Sequence, residues 1–382
     1  MMKVLMICGS LYPAQTGGVD NSVYWQSKSL VENGIEVQII TTNTGIAKGQ
    51  VLENVWTKTD AGLVKYVGIK DKRFPIKWMI ETFKLLMQYK GILHFHSLTY
   101  SSAFLILIPF LRNKIIWTIH GDLEPFATSF GKVYLKRIVY LFYKLLSYKI
   151  VYHTTSDSES KNARDILGSK IKIAQLPNYM LLPEKINKSK GNNEKYFLYI
   201  GRLHPIKALD NLIHALALSE KFKTSEFVFK IAGDGDDNYT KALEEMIVKL
   251  DLVGKVKLIG FVDGVEKQKL YANAYFLFLI SHTENFGNVV VEALAQGTPV
   301  VTSKGTPWEI LEKENAGFWI DNSPNTIANT IDNILSMKRI DYEENSKNAR
   351  ELAKSQFDIN KNIEKWIDLY TKILKNNDKK FS

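Results

Sequence analysis

The sequence predicts an α/β protein of two doubly wound, Rossmann-like domains that face each other across a cleft. Its 382 residues exceed one ordinary domain, because domains average roughly 150 residues. Short apolar runs recur between Gly, Pro, Asn and Ser and alternate with longer segments of helical period, which is typical of βα units with parallel strands. A polar stretch, PEKINKSKGNNEK at 183–195, interrupts this pattern and indicates a linker.

The predicted elements follow in chain order. The first domain has strands at 4–8, 36–41, 93–96, 115–119 and 149–154, with a helix at 22–33 that ends before the C-cap residue Gly34. The second domain has strands within 196–201, 226–235, 255–262, 274–281 and 298–303. We therefore place the domains at 1–185 and 196–360, joined by a linker at 186–195. The closing helix at 360–375 fits against either domain, and 360–382 can fold back onto the first.

Cysteine usage and hydropathy favour a cytoplasmic address. The single cysteine, Cys8, lies in an apolar run, which excludes a disulfide framework. The first apolar run is too short for a signal peptide, and the longest one, 103–111, is too short to span a membrane.

Charge is unevenly distributed along the chain. Residues 1–190 hold 25 basic against 13 acidic side chains, whereas residues 191–382 hold 25 against 27. This asymmetry predicts an anionic partner for the first half, either nucleic acid or an acidic lipid surface. Nucleic acid is disfavoured, because no helix-turn-helix, zinc or RNP motif accompanies the charge.

Two carboxylates flank a predicted helix start in SHTENFGNVVVEALAQGTPVV (281–301). Glu284 follows a buried strand, and Glu292 lies about one turn into the helix, so both can reach one pocket at the strand tip. The amides near Gly287, Asn288 and Val289 lie between them and suit a phosphate, while carboxylates suit sugar hydroxyls. The alternative is that Glu292 complements the helix dipole and Glu284 pairs with a lysine such as Lys304.

Two further loops after strands suit an anion. In GRLHPIKALD, Arg202 and Lys207 follow a strand tip, where two fixed cations suit a diphosphate, although such a pair is often only solvated surface. Gly17 and Gly18 precede the first helix, where their amides can face an anion or simply form a tight turn.

Taken together, these motifs resemble a known enzyme family. Gly17-Gly18, HGD (120–122), GRLxxxK (201–207), ExFGxxxxE (284–292) and AxxxGTPVV (293–301) occur in the order found in retaining glycosyltransferases of the GT-B fold, in the group called family four. Two positions depart from the family pattern: Ala208 stands where a glycine often follows the lysine, and Tyr179 replaces the glycine of a PNG triplet.

The resemblance implies a site that binds a nucleotide-diphosphate sugar. Arg202 and Lys207 would hold the diphosphate, Glu292 the ribose and Glu284 the sugar hydroxyls, and His120 would sit beside the reacting carbon. His120 also has a plain structural interpretation, as a strand-end histidine bonded to backbone. The expected catalytic residues are His120, Arg202, Lys207 and Glu284, and the expected donor-binding residues are Gly17, Gly18, Arg202, Lys207, Phe261, Val262, Glu284, Asn285, Phe286, Gly287, Asn288, Val289 and Glu292.

The implied reaction keeps the configuration of the sugar by front-side attack, with the diphosphate receiving the acceptor's proton. Positive charge aimed at the leaving diphosphate stabilises the oxocarbenium-like transition state. The sequence shows no DxD or His cluster for a metal, so we expect neither metal nor cofactor. The expected acceptor is a glycan or a lipid-linked oligosaccharide.

A basic amphipathic helix in the first half predicts a membrane contact. In GKVYLKRIVYLFYKLLSYK (131–149), one arc is apolar and the other holds tyrosines with Lys132, Lys136, Arg137 and Lys144. We expect the apolar arc to pack on the sheet and the basic arc to face anionic lipid, placing the protein on the inner face of the plasma membrane. The alternative is a solvated basic face.

Other enzymes of this fold would bind the same donor. A nucleotide-sugar epimerase or a phosphorylase-like protein would release an isomer or a sugar phosphate, and a non-catalytic binding protein would turn nothing over. The product therefore distinguishes these functions.

Overall fold

The computed structural model describes residues 2–14, 17–71, 75–111, 114–129, 133–188 and 194–378. The chain divides into two compact units. The first unit comprises the chain up to Leu181 together with the segment from Asp358 onward, and the second comprises Leu182–Phe357.

The first unit contains eight strands, and helices separate most of them, although β2, β3 and β4 follow one another directly. Its strands are β1 (Lys3–Ile7), β2 (Glu36–Thr42), β3 (Trp56–Thr59), β4 (Gly62–Val67), β5 (Ile92–His96), β6 (Lys114–Thr118), β7 (Ile150–Thr154) and β8 (Lys172–Gln175). Its helices up to that point are α1 (Gly18–Glu32), α2 (Ile76–Gln88), α3 (Leu98–Ser101), α4 (Pro125–Ser129), α5 (Val133–Leu146) and α6 (Asp157–Leu167). A 3₁₀ helix, Ser102–Leu107, follows α3.

The first sheet has the order β3-β4-β2-β1-β5-β6-β7-β8, and only β3 runs antiparallel to its neighbour. The chain winds outward from β1 in one direction and, after α2, from β5 in the other, so the order reverses between β1 and β5. Doubly wound sheets bind ligands beside the carboxyl ends of the strands at such a switch point.

Both faces of this sheet are buried, and the side chains of β5 alternate between the two apolar cores. Leu93 and Phe95 join one apolar cluster with Trp78 of α2, whereas Ile92 joins the opposite cluster. The closing helix α15 (Ile359–Asp378) packs on that second face through Ile359, Ile363, Trp366, Tyr370 and Ile373. The sequence allowed this helix to pack on either domain, and in the structure it packs on the first unit.

The second unit forms a sheet of six parallel strands. The strands are β9 (Tyr196–Ile200), β10 (Val228–Ala232), β11 (Val256–Gly260), β12 (Leu277–Leu279), β13 (Val300–Ser303) and β14 (Gly317–Ile320), in the order β11-β10-β9-β12-β13-β14. The helices are α7 (Leu209–Leu218), α8 (Glu220–Thr224), α9 (Asp237–Lys249), α10 (Gly264–Asn273), α11 (Asn288–Ala295), α12 (Ile310–Lys313), α13 (Pro324–Leu335) and α14 (Arg339–Leu352). The order reverses between β9 and β12.

Two doubly wound sheets, parallel except for β3, confirm the predicted α/β fold class. Every predicted strand is present, with bounds within a few residues of the prediction, and the first helix begins four residues earlier than expected, at Gly18. The sequence did not reveal β3, β4, β8 and β14, which are short or carry polar residues at alternate positions. Within the described residues, no helix combines the length and the apolar character needed to span a bilayer.

Candidate functional site

The two loops at the switch point of the second sheet hold the predicted charged residues. Arg202 and Lys207 follow β9, and Glu284 follows β12, the neighbouring strand. The loops are tied together, because the amide of His282 donates to the carbonyl of Ile206 at 2.8 Å. The parallel topology therefore brings these three residues, which are distant in sequence, to one edge of the sheet.

Lys207 and Glu284 form a direct ion pair through Nζ and Oε2. Each side chain is only 17% exposed, so water screens the pair weakly. The Glu284 amide donates to the carbonyl of Gly305 at 3.0 Å, which fixes the loop. The alternative partner suggested by the sequence is wrong, because Lys304 pairs instead with Asp321 at 3.3 Å.

Ala208 explains why glycine is common at this position in the resembling family. Its φ of 51° lies in the left-handed region, directly after the 3₁₀ turn Pro205–Lys207 and before α7. A side chain there costs roughly 1–2 kcal/mol, which glycine avoids. The substitution nevertheless keeps the turn that presents Lys207.

Arg202 is exposed at the same strand tip. The hydroxyl of Tyr199, in β9, donates to the Arg202 carbonyl at 3.0 Å and fixes its backbone. Among the described residues, no carboxylate forms an ion pair with its guanidinium. Arg202 can therefore meet an anionic ligand without first leaving a protein partner.

The helix α11 begins at the predicted place, beside Glu284. Its N-cap, Gly287, has a φ of 80°, and a Cβ there would lie 2.8 Å from Cδ2 of Leu279. Asn285, Asn288 and Val289 are half-buried around this helix start. Phe286 differs from expectation in one respect: its side chain is buried against Trp308 and Phe357, so only its main chain borders the loop.

Glu292, one turn into α11, has two side-chain partners. Its Oε2 accepts from the hydroxyl of Tyr271 and from Nζ of Lys267, both at 2.7 Å. These contacts fix the carboxylate at the site edge, so complementing the helix dipole is not its only interaction. Phe261 is exposed and Val262 half-buried in the loop after β11, the strand two places from β9 at the same sheet edge.

In the first unit, His120 lies in a left-handed turn after β6, with a φ of 54°. Its Nε2 lies 3.0 Å from Nδ1 of His96, the last residue of β5, so this partner is a side chain and not the backbone group of the alternative interpretation. Burial lowers the pKa of His120 to about 3, so the imidazole is neutral at pH 7.

Two buried carboxylates hold this turn. Asp122 Oδ2 accepts from Ser97 Oγ and the Leu98 amide, both at 2.6 Å, and from the Thr99 amide at 3.0 Å. Glu159 of α6 accepts from the Gly121 amide at 2.7 Å through Oε1. Burial raises the pKa of Glu159 to about 7, although its hydrogen bonds oppose the shift. Sequence reasoning missed Glu159, which the spacing Ser-x-x-Glu before α6 could have indicated.

Gly17 and Gly18 lie where the sequence predicted, at the start of α1, the helix that follows β1. Gly17 has extended backbone, with a φ of 172°, and a Cβ there would meet no atom within 4 Å. The pair therefore adds no side chain at the start of the helix. The donor contacts expected of Gly17, Gly18 and His120 stay predictions.

The predicted orientation of the basic helix is wrong. In α5, the apolar residues Leu135, Ile138, Leu141, Phe142 and Leu145 are exposed, whereas Tyr143 is fully buried. Tyr143 donates to the Leu98 carbonyl at 2.9 Å, and Lys136 donates to the Ala127 carbonyl at 2.6 Å, so both point inward. Buried carbonyls need donors, which the apolar arc cannot provide. Arg137 and Lys144 are exposed, and Lys132 lies outside the described residues.

Two doubly wound α/β units in one chain are the architecture of the GT-B fold. Comparison with protein families agrees: residues 16–178 match Glycosyltransferase Family 4, and residues 183–356 match Glycosyl transferases group 1. The chain belongs to the family-four glycosyltransferases of the GT-B fold.

Individual relatives match over part of their length. An uncharacterized glycosyltransferase of Methanocaldococcus jannaschii is 38% identical over 40% of this chain and 40% of its own. The O-antigen chain mannosyltransferase RfbU of Salmonella typhimurium is 32% identical over 51% of this chain and 53% of its own. The matches thus span about half or less of these two relatives. The structure of Anabaena HepE in complex with UDP-glucose superposes with a TM-score of 0.75, at 20% identity over 96% of this chain and 100% of that one.

Proposed function

We propose that the chain is a retaining, metal-independent glycosyltransferase. It moves a hexosyl residue from a nucleotide-diphosphate sugar to a glycan or a lipid-linked oligosaccharide. The observation that supports this best is the cluster at the β9/β12 switch point. Among the described residues, Arg202 forms no ion pair with a carboxylate, and the one ion pair of Lys207 is with Glu284. Epimerases and phosphorylase-like enzymes are alternatives that the product distinguishes.

The ion pair suggests how the site changes when a donor binds. Lys207 breaks its ion pair with Glu284 and contacts the diphosphate, and Arg202 donates hydrogen bonds to two phosphate oxygens. Glu284 then accepts hydrogen bonds from the donor sugar, and Glu292, held by Tyr271 and Lys267, accepts from the ribose. In the transfer step, the bond from the anomeric carbon to the diphosphate oxygen breaks as charge collects on that oxygen. The acceptor hydroxyl bonds to the carbon and gives its proton to the diphosphate.

The relatives support the donor class and the pathway. A mannosyltransferase of O-antigen chains is similar over half of this chain, and a protein of the same fold was crystallised with UDP-glucose. We therefore propose a role in the synthesis of a bacterial capsule, O-antigen or exopolysaccharide.

Arg202→Ala should reduce transfer at least about a hundredfold, because it removes a preorganised stabiliser of the leaving group. Lys304→Ala, at the tip of β13, is the matched control and should keep near-normal activity.

Metal independence has its own test. Excess EDTA should leave transfer from UDP- and GDP-sugars unchanged, because Arg202 and Lys207 replace the metal as the diphosphate's counter-charge. Loss of activity on chelation, restored by Mg²⁺ or Mn²⁺, would contradict the metal-free scheme.

The first unit supports a peripheral membrane position, through a different surface from the one the sequence predicted. We define the apolar face as the exposed residues Ile76, Ile80, Phe83 and Met87 of α2, Ile106 and Phe110, and Tyr134, Leu135, Ile138, Leu141, Phe142 and Leu145 of α5. Buried residues of α2, of Ser102–Leu107 and of α5 share one core on the same side of the sheet. Such a concentration of exposed apolar side chains is unusual on a monomer.

Charge indicates which partner covers this apolar face. Lys77, Lys84, Arg137 and Lys144 are exposed on the same helices, and residues 133–149 contain no acidic side chain. Apolar side chains that enter the headgroup region, bordered by cations, fit an anionic bilayer, to which each cation contributes about 1 kcal/mol.

Vesicle flotation tests this contact. The protein should float with phosphatidylglycerol vesicles at low salt and less with phosphatidylcholine. Leu141→Ser combined with Leu145→Ser should abolish flotation, whereas Val248→Ser with Val253→Ser, two exposed valines of the second unit, should not. Equal flotation of both double variants would contradict the assignment of the apolar face.

A further inference from the structure

The turn after β6 has two successive residues in left-handed backbone. His120 has a φ of 54° and Gly121 a φ of 79°. Glycine adopts this conformation freely, but the Cβ of a histidine is crowded there, so a histidine stays in it only where the surrounding structure holds it. The contacts of this turn therefore determine whether the His120 imidazole keeps its position.

One carboxylate joins the turn to the neighbouring strand. Glu159 lies in the first turn of α6, and its Oε1 accepts from the Gly121 amide at 2.7 Å. Its Oε2 accepts from the amide of Thr155, the residue after β7, at 2.6 Å and from the Thr155 hydroxyl at 3.0 Å. Backbone amides can only donate, so each oxygen of the carboxylate has a fixed donor. Glu159 thus connects the peptide that follows His120 to the end of β7.

These contacts exceed what a helix cap requires. Ser156, the N-cap residue of α6, accepts from the Glu159 amide at 3.2 Å. In a capping box the glutamate bonds back to its own helix end, whereas Oε1 of Glu159 reaches the loop of another strand. Glu159 is also only 1% exposed, and burying a carboxylate costs free energy that a cap at the surface avoids. The arrangement therefore favours a role beyond α6.

The His120 ring has a fixed contact on its other side. Its Nε2 lies 3.0 Å from Nδ1 of His96, and the two rings stack with centroids 5.3 Å apart. The next residue but one, Asp122, accepts from the hydroxyl and amides of the loop after β5. The peptide between His120 and Gly121 contains the amide that Glu159 binds. A change in the orientation of this peptide would therefore move the imidazole relative to His96.

The charge of Glu159 changes close to neutral pH. Burial raises its pKa to about 7, the hydrogen bonds from Thr155 and Gly121 oppose the rise, and the charge of Glu124 adds to it. Burial also raises the pKa of Asp122, in the same turn. An ionised carboxylate accepts more strongly than a neutral carboxyl group. The Gly121 peptide is therefore held most firmly above pH 7.

The four histidines at the ends of β5, β6 and β7 do not titrate in this range. His96 contacts His120, and Thr118 Oγ1 lies 2.7 Å from Nε2 of His94 and 3.1 Å from Nδ1 of His153. Burial lowers the pKa of His120 to about 3 and that of His153 to about 4, and it holds the pKa values of His94 and His96 well below their usual range. The imidazoles are therefore neutral where Glu159 ionises.

We propose that Glu159 is a positioning residue for sugar transfer, because it holds the Gly121 peptide and so keeps the His120 imidazole in place beside the donor sugar. Glu159 acts through His120 and requires no contact with the substrate. The inference rests on the proposed function for the contact between His120 and the donor, whereas the hydrogen bond from Gly121 to Glu159 belongs to the structure itself.

The pH dependence of kcat in Glu159→Gln tests this role. Glutamine keeps the shape of the side chain but has no charge, as wild type does below pH 7. The kcat of the variant should be about tenfold lower than that of wild type at about pH 8.5 and nearly equal at about pH 5.5. The donor KM should change less than about twofold, because the loss falls on the transition state. The ratio of the two kcat values cancels titrations that both proteins share.

Stability separates positioning from structural support. Glutamine avoids the cost of burying a charge, so at about pH 8.5 the variant should resist urea at least as well as wild type, although it is slower. Ser156→Ala, at the same helix end, is the matched control: it should lower the urea midpoint and leave kcat within about twofold at every pH. A kcat ratio for Glu159→Gln that does not change with pH, or equal losses of kcat in both variants, would overturn the proposal.

Nitrogen-15 NMR of the histidine side chains gives a readout that requires no transfer. In wild type, the His120 signals should shift modestly around pH 7, without the large change of an imidazole that gains a proton. This shift should be absent in Glu159→Gln, and His120→Asn identifies the signals. If the His120 signals are the same in wild type and Glu159→Gln at every pH, Glu159 does not position His120.

The two proposals fail in different ways. Normal transfer by wild type, with a kcat ratio that is constant with pH, overturns the role of Glu159 alone. His120 signals that depend on Glu159, in a chain that transfers no sugar, overturn the proposed function and the link to transfer, while the positioning of His120 by Glu159 stands.

Discussion

Replacing Glu284 by glutamine should tighten the binding of a bare nucleoside diphosphate. Glu284 forms an ion pair with Lys207, so a diphosphate that binds Lys207 must displace the carboxylate. Removing one partner of a fully buried ion pair costs about 3–5 kcal/mol. We take about 1–2 kcal/mol here, because this pair is partly exposed and glutamine can still hydrogen-bond to Lys207. Release of Lys207 should therefore strengthen diphosphate affinity about tenfold.

Isothermal titration with UDP and GDP measures this effect. Lys207→Met should weaken binding of the same nucleotide, and Glu309→Gln, an exposed carboxylate paired with Lys313, is the control. Transfer from the sugar nucleotide should still fall at least about tenfold in Glu284→Gln, because the carboxylate that accepts from the sugar hydroxyls is lost. Weaker diphosphate binding in Glu284→Gln, matching Lys207→Met, would refute the partner exchange.

Three further outcomes follow from the geometry. Gly287→Ala should destabilise the protein by about 2 kcal/mol, since it places a Cβ in the left-handed region and 2.8 Å from Leu279, whereas Gly17→Ala should cost under about 0.5 kcal/mol in the same urea titration. Burial raises the pKa of Glu159 from 4.5 to about 7, so the stability that its proton contributes is present below pH 4.5 and is lost as pH rises through 7. Urea titrations should show wild type losing up to about 3 kcal/mol relative to Glu159→Gln over that window, and parallel curves would contradict this. Tyr143→Phe should cost about 1 kcal/mol by leaving the Leu98 carbonyl unsatisfied, while Leu141→Ser should cost little, and the reverse order would contradict the orientation of α5.

The strands were predictable from the sequence because buried parallel strands appear as short apolar runs. YFLYI and TPVVTS needed no tertiary information. The edge strand β3 and its neighbour β4 were missed because WTKT and GLVKYV mix polar and apolar residues, as the half-exposed end of a sheet permits.

Side-chain partners were less predictable, because the topology decides them. The alternative interpretation paired Glu284 with Lys304, but the switch point brings Lys207, 77 residues away, to its side. The four histidines at 94, 96, 120 and 153 meet only because β5, β6 and β7 are paired in parallel register.

The orientation of α5 shows a limit of helical periodicity. The helical period correctly separated an apolar arc from an arc of tyrosines and cations. It contains no information about which of the two arcs packs against the rest of the protein. Here the hydroxyls of Tyr140 and Tyr143 bond to the carbonyls of Asp122, after β6, and Leu98, after β5, so these two tyrosines turn toward the protein. Such partners are visible only once the loops are in place.

The central claim is glycosyl transfer from a nucleotide sugar at the β9/β12 switch point. The most direct measurement incubates the protein with UDP- and GDP-hexoses and a lipid-linked acceptor, and follows the glycosylated product and its anomeric configuration by NMR. We predict a product with the donor's anomeric configuration, insensitive to EDTA and reduced at least about a hundredfold by Arg202→Ala. An isomerised sugar nucleotide, a free sugar phosphate, or transfer unaffected by Arg202→Ala would contradict it.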